Sequence, residues 1–205
     1  MNPNKKTIYT IGYAPYTLDT FVNILKKYKI SALVDVRSSP YSQFKSEFNR
    51  ETLKDFLKVN QIAYVFLGDY CGARVEDPSC YVNGKVDYKL VAKKSKFKEG
   101  LERIKKGMEK FRIALMCAEK DPITCHRTIL VCRNLLTAGI KIQHILCNGR
   151  IDEHGDSENR LMKLFNLDQP ELFRNEQQRI EDAYCRQGEK IAYEIAEPSN
   201  ENWGQ

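Results

Sequence analysis

The sequence predicts an α/β fold: a single Rossmann-like domain with a mainly parallel sheet and helices on both of its faces. Short β-branched or apolar runs alternate with longer segments whose apolar residues recur at helical spacing. The 205 residues, 42% of them hydrophobic, suffice for one core and show no shift in composition. We therefore expect one domain over residues 1–205, with its core at about 7–150 and a helical C-terminal extension at about 151–205.

The individual elements follow from the spacing of apolar residues and from turn residues between them. The expected strands are 7–11, 31–37, 62–67, 111–117 and 141–146. The expected helices are 17–28, 50–59, 89–110, 128–136, 156–166 and 177–195, with Gly139 ending the fourth. Residues 68–86 show no clean periodicity and are expected to form a long irregular loop.

Charge and cysteine usage favour a cytoplasmic protein. The chain begins without an apolar run of signal-peptide length and has no stretch long enough to span a membrane, so we expect no membrane association. Seven cysteines, an odd number in a chain of this size, indicate reduced thiols. The net charge of +6 includes a lysine-rich stretch at 93–98, which is either a solvated helix face or a contact surface for nucleic acid.

Polar residues follow the ends of several expected strands. The carboxyl ends of parallel strands meet at one edge of a sheet, where ligands bind. Gly12 and Tyr13 follow the first strand, Asp35 and Arg37 close the second, and Cys117 and Glu119 follow the fourth. Asp35 and Arg37 share one face of their strand, and they form either a salt bridge or an acid beside a phosphate-binding arginine. The next loop offers hydroxyl groups to an anion, Ser42 among them.

The segment 117–127 carries the most chemistry. Asp121 and Pro122 are suited to cap and begin a helix, which places Cys125, His126 and Arg127 in its first turns. Backbone amides and the helix dipole attract anions there and stabilise a thiolate. Either Cys125 or Cys117 is then a candidate nucleophile, although each is also a candidate small buried side chain.

Known motifs for nucleotide, phosphate and metal binding are absent. The sequence has no Gly-rich dinucleotide or phosphate loop and no nucleophile elbow. Its cysteine spacings are not those of a zinc finger or ribbon, and it has only three histidines, so no metal site is predicted and no cofactor is assigned.

Several short motifs carry a family resemblance. They are Thr10-Ile-Gly-Tyr13, Leu33-Val-Asp-Val-Arg37 with Pro40 and Ser42, Gly68-Asp-Tyr-Cys-Gly72 with Arg74, and Met116-Cys-Ala-Glu119 followed by Cys125-His-Arg127. Together they resemble the family catalogued as domain of unknown function 488, over about residues 7–149. The resemblance implies a compact α/β fold and a shared site at these positions, Gly72 and Arg74 included, but no established reaction. Asp69, Tyr70 and Cys71 depart from the family's third motif.

Three functions remain open from the sequence. The first is an enzyme acting on a phosphorylated or nucleotide-like substrate, with Cys125 or Cys117 as nucleophile and His126 as acid or base, oriented by Glu119 or Asp35. In this hypothesis Arg37 and Arg127 bind the anion. The second is a module that binds nucleic acid or a nucleotide without turning it over. The third is a thiol redox sensor that forms a Cys117–Cys125 disulfide.

Overall fold

A six-stranded sheet organises the protein, whose structure, a computed structural model, describes residues 7–195. The strands are β1 (Thr7–Gly12), β2 (Ala32–Asp35), β3 (Ala63–Phe66), β4 (Tyr81–Val82), β5 (Lys85–Val86), β6 (Ile113–Cys117), β7 (Lys141–Ile145) and β8 (Ile151–Glu153). The sheet order is β3-β2-β6-β1-β7-β8. The first five of these strands pair in parallel, and β8 adds an antiparallel edge, as the sequence predicts for a mainly parallel α/β sheet.

Helices cover both faces of this sheet. They are α1 (Leu18–Lys27), α2 (Arg50–Val59), α3 (Gly68–Cys71), α4 (Tyr88–Lys93), α5 (Ser95–Gly107), α6 (Arg133–Leu136), α7 (His154–Leu164) and α8 (Glu176–Ile191). Strand residues alternate between two cores, because successive side chains point to opposite faces. One core packs β1, β2 and β6 against α1 and α2. The other packs the opposite faces of these strands against α5, α7 and α8.

The order of the strands makes two connections cross. In a Rossmann sheet the first two strands are neighbours, whereas here β6 lies between β1 and β2. The chain leaving β1 must pass β6 to reach β2, and the chain leaving β6 must pass β1 to reach β7. Right-handed crossovers send these connections over opposite faces, and they meet above the shared carboxyl ends of β1 and β6.

Three parts of the fold differ from the sequence-based expectation. Residues 68–86 are not an irregular loop, since they hold α3, a 3₁₀ turn at Pro78–Cys80 and the hairpin β4-β5. The single helix expected at 89–110 is two helices, because Lys94 is extended and pairs with Asp77 and Ser79 while Val91 and Phe97 enter the same core on either side. The strand β8 lies in a segment for which only helices were expected.

The remaining helices agree closely with the predicted ranges. Thr17 caps α1 through its hydroxyl oxygen, which accepts from the amide of Thr20. Asn175 and Gln178 form a capping box at the start of α8. Gly139 has a φ of 74° where the fourth predicted helix ends. In the described part of the chain, no helix combines the length and apolar character needed to span a membrane.

Candidate functional site

The crossing above β1 and β6 forms the base of the candidate site. The amides of Tyr13 and Ala14 donate to the carbonyl oxygens of Cys117 and Ala118, each at 3.0 Å, so the two exits run side by side. A Cβ atom on Gly12 would overlap the backbone carbonyl of Glu119. Gly12 is therefore required by the close approach of two chain segments, and Glu119 is held in place by backbone contacts.

Cys125 lies at the beginning of a helix, as the sequence predicts, although that helix begins later than Asp121. Asp121 caps only a 3₁₀ turn, Pro122–Thr124. Cys125 is then extended, and a π-helical segment, Arg127–Cys132, continues into α6. The Sγ of Cys125 accepts from the amide of Arg127 at 3.4 Å, as an N-cap side chain does. This places the sulfur at the positive end of the helix.

Four of the predicted catalytic residues come together here. The Nδ1 atom of His126 lies 3.7 Å from the Sγ of Cys117 and 3.9 Å from the Sγ of Cys125. The Sγ of Cys125 lies 2.9 Å from the Oε2 of Glu119. Both cysteines and His126 are buried, at 3%, 1% and 5% exposure, whereas Glu119 is exposed. Solvent therefore reaches this cluster at Glu119.

The hydrogen bonding of His126 settles which ring nitrogen carries its proton. Nε2 lies 2.9 Å from the backbone carbonyl oxygen of Val36, which can only accept, so Nε2 carries hydrogen and donates. In the neutral ring, Nδ1 then presents its lone pair to the two sulfurs. The predicted orienting groups, Glu119 and Asp35, do not perform this role, because Val36 orients the ring and Glu119 contacts Cys125 instead.

Arg127 lies fully buried beneath the cluster. Its Nη1 donates to the carbonyl oxygen of Glu119 at 2.6 Å, and its Nε donates to the Oγ1 of Thr10 at 3.4 Å. Its Nη2 is buried and has no hydrogen-bond partner among the described residues. Arg127 thus braces the exit of β6 and leaves one charged donor unpaired, which is uncommon for a buried polar group.

The electrostatics of the cluster shift the pKa values of its two thiols in opposite directions. Burial opposes ionisation of Cys125, but a hydrogen bond from Cys117 and the charges of Arg127 and His126 hold the pKa of Cys125 well below its ordinary value. The hydrogen bond to Cys125 and burial raise the pKa of Cys117. Burial alone would lower the pKa of His126, but its contact with Cys125 outweighs burial and raises that pKa. These directions favour a negative charge on Cys125 rather than on Cys117, with the positive charge of His126 beside it.

The Glu119 carboxyl also has a shifted pKa. Loss of solvent around the carboxyl group and the negative charge of Cys125 raise the pKa of Glu119. Glu119 is also the member of the cluster that solvent reaches, so its carboxyl group lies between the Cys125 sulfur and solvent.

Asp35 and Arg37 lie at the same rim of the sheet but on its opposite face. The two side chains form an ion pair with an Nη2–Oδ2 distance of 2.6 Å, and Asp35 also accepts from the hydroxyl of Tyr64 at 2.7 Å. Arg37 donates to the carbonyl oxygen of Phe48 and stacks over Tyr13. Val36 between them faces the core that contains Cys117. Of the two alternatives for this pair, a salt bridge and an acid beside a phosphate-binding arginine, the structure therefore shows a buried salt bridge. The pocket that the sequence predicted between this pair and Cys125 is not formed.

The remaining predicted anion-binding residues are dispersed. Tyr13 stacks against Phe48 in the core beside Arg37, and the hydroxyl of Ser42 accepts from the amide of Lys45. Gly72 packs against Ser38, and the Arg74 guanidinium lies over Tyr193. Gly72 and Arg74 line a separate cavity of about 580 Å³, in which Arg74, Lys94 and Lys96 are matched by Asp69, Glu76 and Asp77. This balance of charge gives the cavity no clear preference for anions.

The lysine-rich stretch is partly neutralised. Lys94 pairs with Asp77 at 2.8 Å, and Lys105 pairs with Glu102 at 2.7 Å. Lys93, Lys96 and Lys98 are exposed. These contacts reduce the density of free positive charge that a nucleic-acid surface needs.

A buried hydrogen-bond chain extends from Arg127 and was not expected from the sequence. Thr10 Oγ1 lies 2.8 Å from His144 Nδ1, His144 Nε2 lies 2.9 Å from His154 Nδ1, and His154 Nε2 lies 2.8 Å from the hydroxyl of Tyr184. Tyr184 in turn donates to Glu158 at 3.0 Å. Donors and acceptors alternate consistently when Arg127 donates at one end and Glu158 accepts at the other. The position of His144 inside a predicted strand was the only sequence signal.

Three side chains of the cluster could together hold a metal ion. The Sγ atoms of Cys117 and Cys125 and the Nδ1 of His126 lie within 4.8 Å of one another, and all three residues are buried. The sequence did not predict this group, because the three ligands are spaced as C-x₇-C-H and resemble no zinc finger.

The fold and the site define an α/β protein with a buried Cys/Cys/His centre where its two central connections cross. A family model described as Domain of unknown function DUF488 matches residues 17–133, more than half of the chain. The chain therefore belongs to the DUF488 family. The match includes the whole Cys/Cys/His centre, whereas Gly12 and Tyr13 precede it. Comparison with curated proteins and with solved structures found no match.

Proposed function

We propose that this protein is an enzyme that acts on a phosphorylated or nucleotide-like substrate, with Cys125 as its nucleophile. The observation that carries the proposal is the position of the Cys125 sulfur at a helix N-terminus, between the carboxyl group of Glu119 and the Nδ1 of His126. Nucleophilic cysteines occur in this setting, with a proton acceptor within reach and positive charge nearby. The lowered pKa of Cys125 supports the same role.

The proposed reaction divides the roles among four residues. The Cys125 thiolate attacks phosphorus, forming an S–P bond while the bond to the leaving oxygen breaks, and His126 gives its Nδ1 proton to that oxygen. The neutral imidazole then takes a proton from water, whose oxygen displaces sulfur and restores the thiolate. Arg127 supplies positive charge and its unpaired Nη2 donor. Glu119 is the exposed acid at the entrance.

Protection by an anion tests the substrate class. We expect inorganic phosphate to slow alkylation of Cys125 by iodoacetamide in reduced, metal-free protein, relative to chloride at equal ionic strength. Alkylation of Cys185, on the outer helix α8, is the internal control. Equal rates for Cys125 in phosphate and chloride would exclude a phosphate subsite at this thiol.

A thiol redox sensor is the second candidate, because the two sulfurs lie within 4.8 Å of each other. Hydrogen peroxide would oxidise the Cys125 thiolate to a sulfenic acid with loss of hydroxide. The Cys117 thiol would then displace water to form a disulfide. Mass spectrometry of the Cys117–Cys125 peptide pair after peroxide treatment tests this. Overoxidation of Cys125 without a disulfide would eliminate the sensor.

A further inference from the structure

We propose that Cys117, Cys125 and His126 bind a thiophilic divalent metal ion, with Zn²⁺ as the first candidate. Tetrahedral zinc with ordinary Zn–S and Zn–N bonds places its sulfur and nitrogen ligands about 3.6 Å apart. The observed Sγ–Nδ1 distances are 3.7 Å from Cys117 and 3.9 Å from Cys125. The two sulfur–nitrogen distances therefore match a tetrahedral site. The two sulfurs lie within 4.8 Å of each other, and binding would bring them to about 3.8 Å.

The second contact of His126 fits the same role. A histidine that binds a metal through one ring nitrogen usually donates from the other to a carboxylate or backbone carbonyl, which fixes the tautomer and the ring plane. His126 donates from Nε2 to the carbonyl oxygen of Val36 at 2.9 Å, and its Nδ1 faces both sulfurs. The carbonyl group of Val36, just after β2, thus orients the imidazole for metal binding in the metal-free protein.

Charge and access also agree with a divalent ion. With both thiols ionised, Cys117, Cys125 and the nearby carboxylate of Glu119 contribute three negative charges, which a divalent ion and the buried Arg127 together balance. Glu119 is the exposed member of the group. The fourth position of the tetrahedron therefore faces Glu119, where a carboxylate oxygen or a solvent molecule can occupy it.

Metal binding has a regulatory consequence for the proposed function. Coordination withdraws electron density from the Cys125 sulfur and places the ion beside it, so the metal-loaded form should attack a substrate more slowly than the metal-free form. Only this consequence rests on the proposed enzyme activity. The binding itself follows from the geometry of the three ligands, and a metal would suppress alkylation of Cys117 and Cys125 together.

Cobalt binding tests the site directly. Reduced full-length protein, freed of metal with a chelator, should bind one Co²⁺ per chain and develop a near-ultraviolet thiolate-to-cobalt absorption band, which Zn²⁺ displaces. Cys117→Ser and Cys125→Ser should each weaken the band by about half or abolish it. Cys132→Ser, which removes a buried thiol seven residues further along the chain, and Cys147→Ser, which removes an exposed thiol, should leave the band unchanged.

The outcomes separate this inference from the proposed function. Absence of a saturable band in the wild-type protein, or an unchanged band in Cys117→Ser or Cys125→Ser, overturns the metal site. If circular dichroism shows that a serine variant does not fold, protection of the wild-type cysteines by Zn²⁺ against alkylation tests the site instead. Zn²⁺ should then block alkylation of Cys117 and Cys125 but not of Cys147, and failure to do so overturns the site. A metal-free Cys125 that is inert to alkylation contradicts the proposed nucleophile alone.

Discussion

The Nε2 of His126 donates to the backbone carbonyl oxygen of Val36 at 2.9 Å, across a separation of 90 residues in sequence. This bond joins the exit of β6 to the exit of β2 and turns the other ring nitrogen toward Cys117 and Cys125. Val36 itself packs into the core, while its two charged neighbours point to the opposite face. One backbone carbonyl therefore connects the thiol cluster to the strand that carries the separate Asp35–Arg37 pair.

Two substitutions of His126 should separate its structural role from its chemical role. His126→Gln can still donate to Val36, so we expect little loss of stability, whereas His126→Ala leaves a buried carbonyl unpaired and should cost about 1–3 kcal/mol. Both remove the positive charge of His126 that stabilises the Cys125 thiolate, and should slow alkylation of Cys125 at least about tenfold near neutral pH. Denaturant unfolding and peptide-resolved alkylation measure the two effects. An unchanged Cys125 rate in the glutamine variant would show that Nδ1 does not assist the thiol.

Gly12→Ala tests the crossing above β1 and β6. The added methyl group would overlap the carbonyl oxygen of Glu119, so we expect a loss of at least about 3 kcal/mol in the free energy of unfolding. Gly155→Ala is the matched control, because a Cβ there meets no atom within 4 Å, and alanine in a helix should stabilise by about 0.5–1 kcal/mol. Similar stabilities for the two variants in urea titrations would contradict the close approach.

Asp35→Asn should destabilise the protein without altering the thiol site. It leaves Arg37 buried without its counter-ion, which costs about 3–5 kcal/mol. Asp55→Asn, at an exposed position of α2, should change stability by less than about 0.5 kcal/mol. Because Asp35 lies on the other face of the sheet, alkylation of Cys125 in folded Asp35→Asn should match the wild type. A large change in the Cys125 alkylation rate would show that Asp35 acts on the thiol site.

Glu158→Gln should reduce stability in a pH-dependent way. Burial opposes ionisation of Glu158, but the adjacent His154 ring, 3.5 Å away, and the hydrogen bond from Tyr184 lower the pKa of Glu158 below that of an unfolded glutamate. The charged form therefore stabilises the fold above the unfolded pKa, near 4.3, and this stability disappears as pH falls through the lower folded pKa. We expect a loss of about 1.5–3 kcal/mol at pH 7.

The same variant should approach the wild type in acid. Unfolding curves at several pH values between 3 and 7, with Glu99→Gln as an exposed control, measure the difference. A stability difference between Glu158→Gln and the wild type that does not depend on pH would show that the charge of Glu158 contributes nothing to the fold.

The sequence predicts the strands and most helices because their apolar periodicity is local. It also predicts that Cys117, Glu119, Cys125 and His126 form one cluster, since all four follow the same strand. It could not predict that β6 lies beside β2, or the register in which the two strands pair. Asp35 lies beside Met116, whose side chain enters the core under α1 and α2, whereas Cys117 enters the opposite core. For that reason Asp35 and Arg37 reach the same rim but not the same pocket.

Other features depend on long-range contacts that leave little local trace. The chain through Thr10, His144, His154 and Tyr184 joins four elements, and each residue alone is compatible with an ordinary core position. The break at Lys94 does not disturb helical periodicity, because residues on both sides still face one core. Orientation of His126 by a backbone carbonyl has no sequence signature at all.

Alkylation of each cysteine at pH 6 is the most direct test of the thiol centre. Reduced, metal-free protein would be treated with limiting iodoacetamide, and each cysteine-containing peptide would be quantified by mass spectrometry. We expect Cys125 to react first although it is 1% exposed, ahead of the exposed Cys147. The thiolate rather than the thiol attacks iodoacetamide, and the surroundings of Cys125 hold its pKa well below the ordinary value. Reaction of Cys147 first, with Cys125 labelled only after unfolding, would contradict the account.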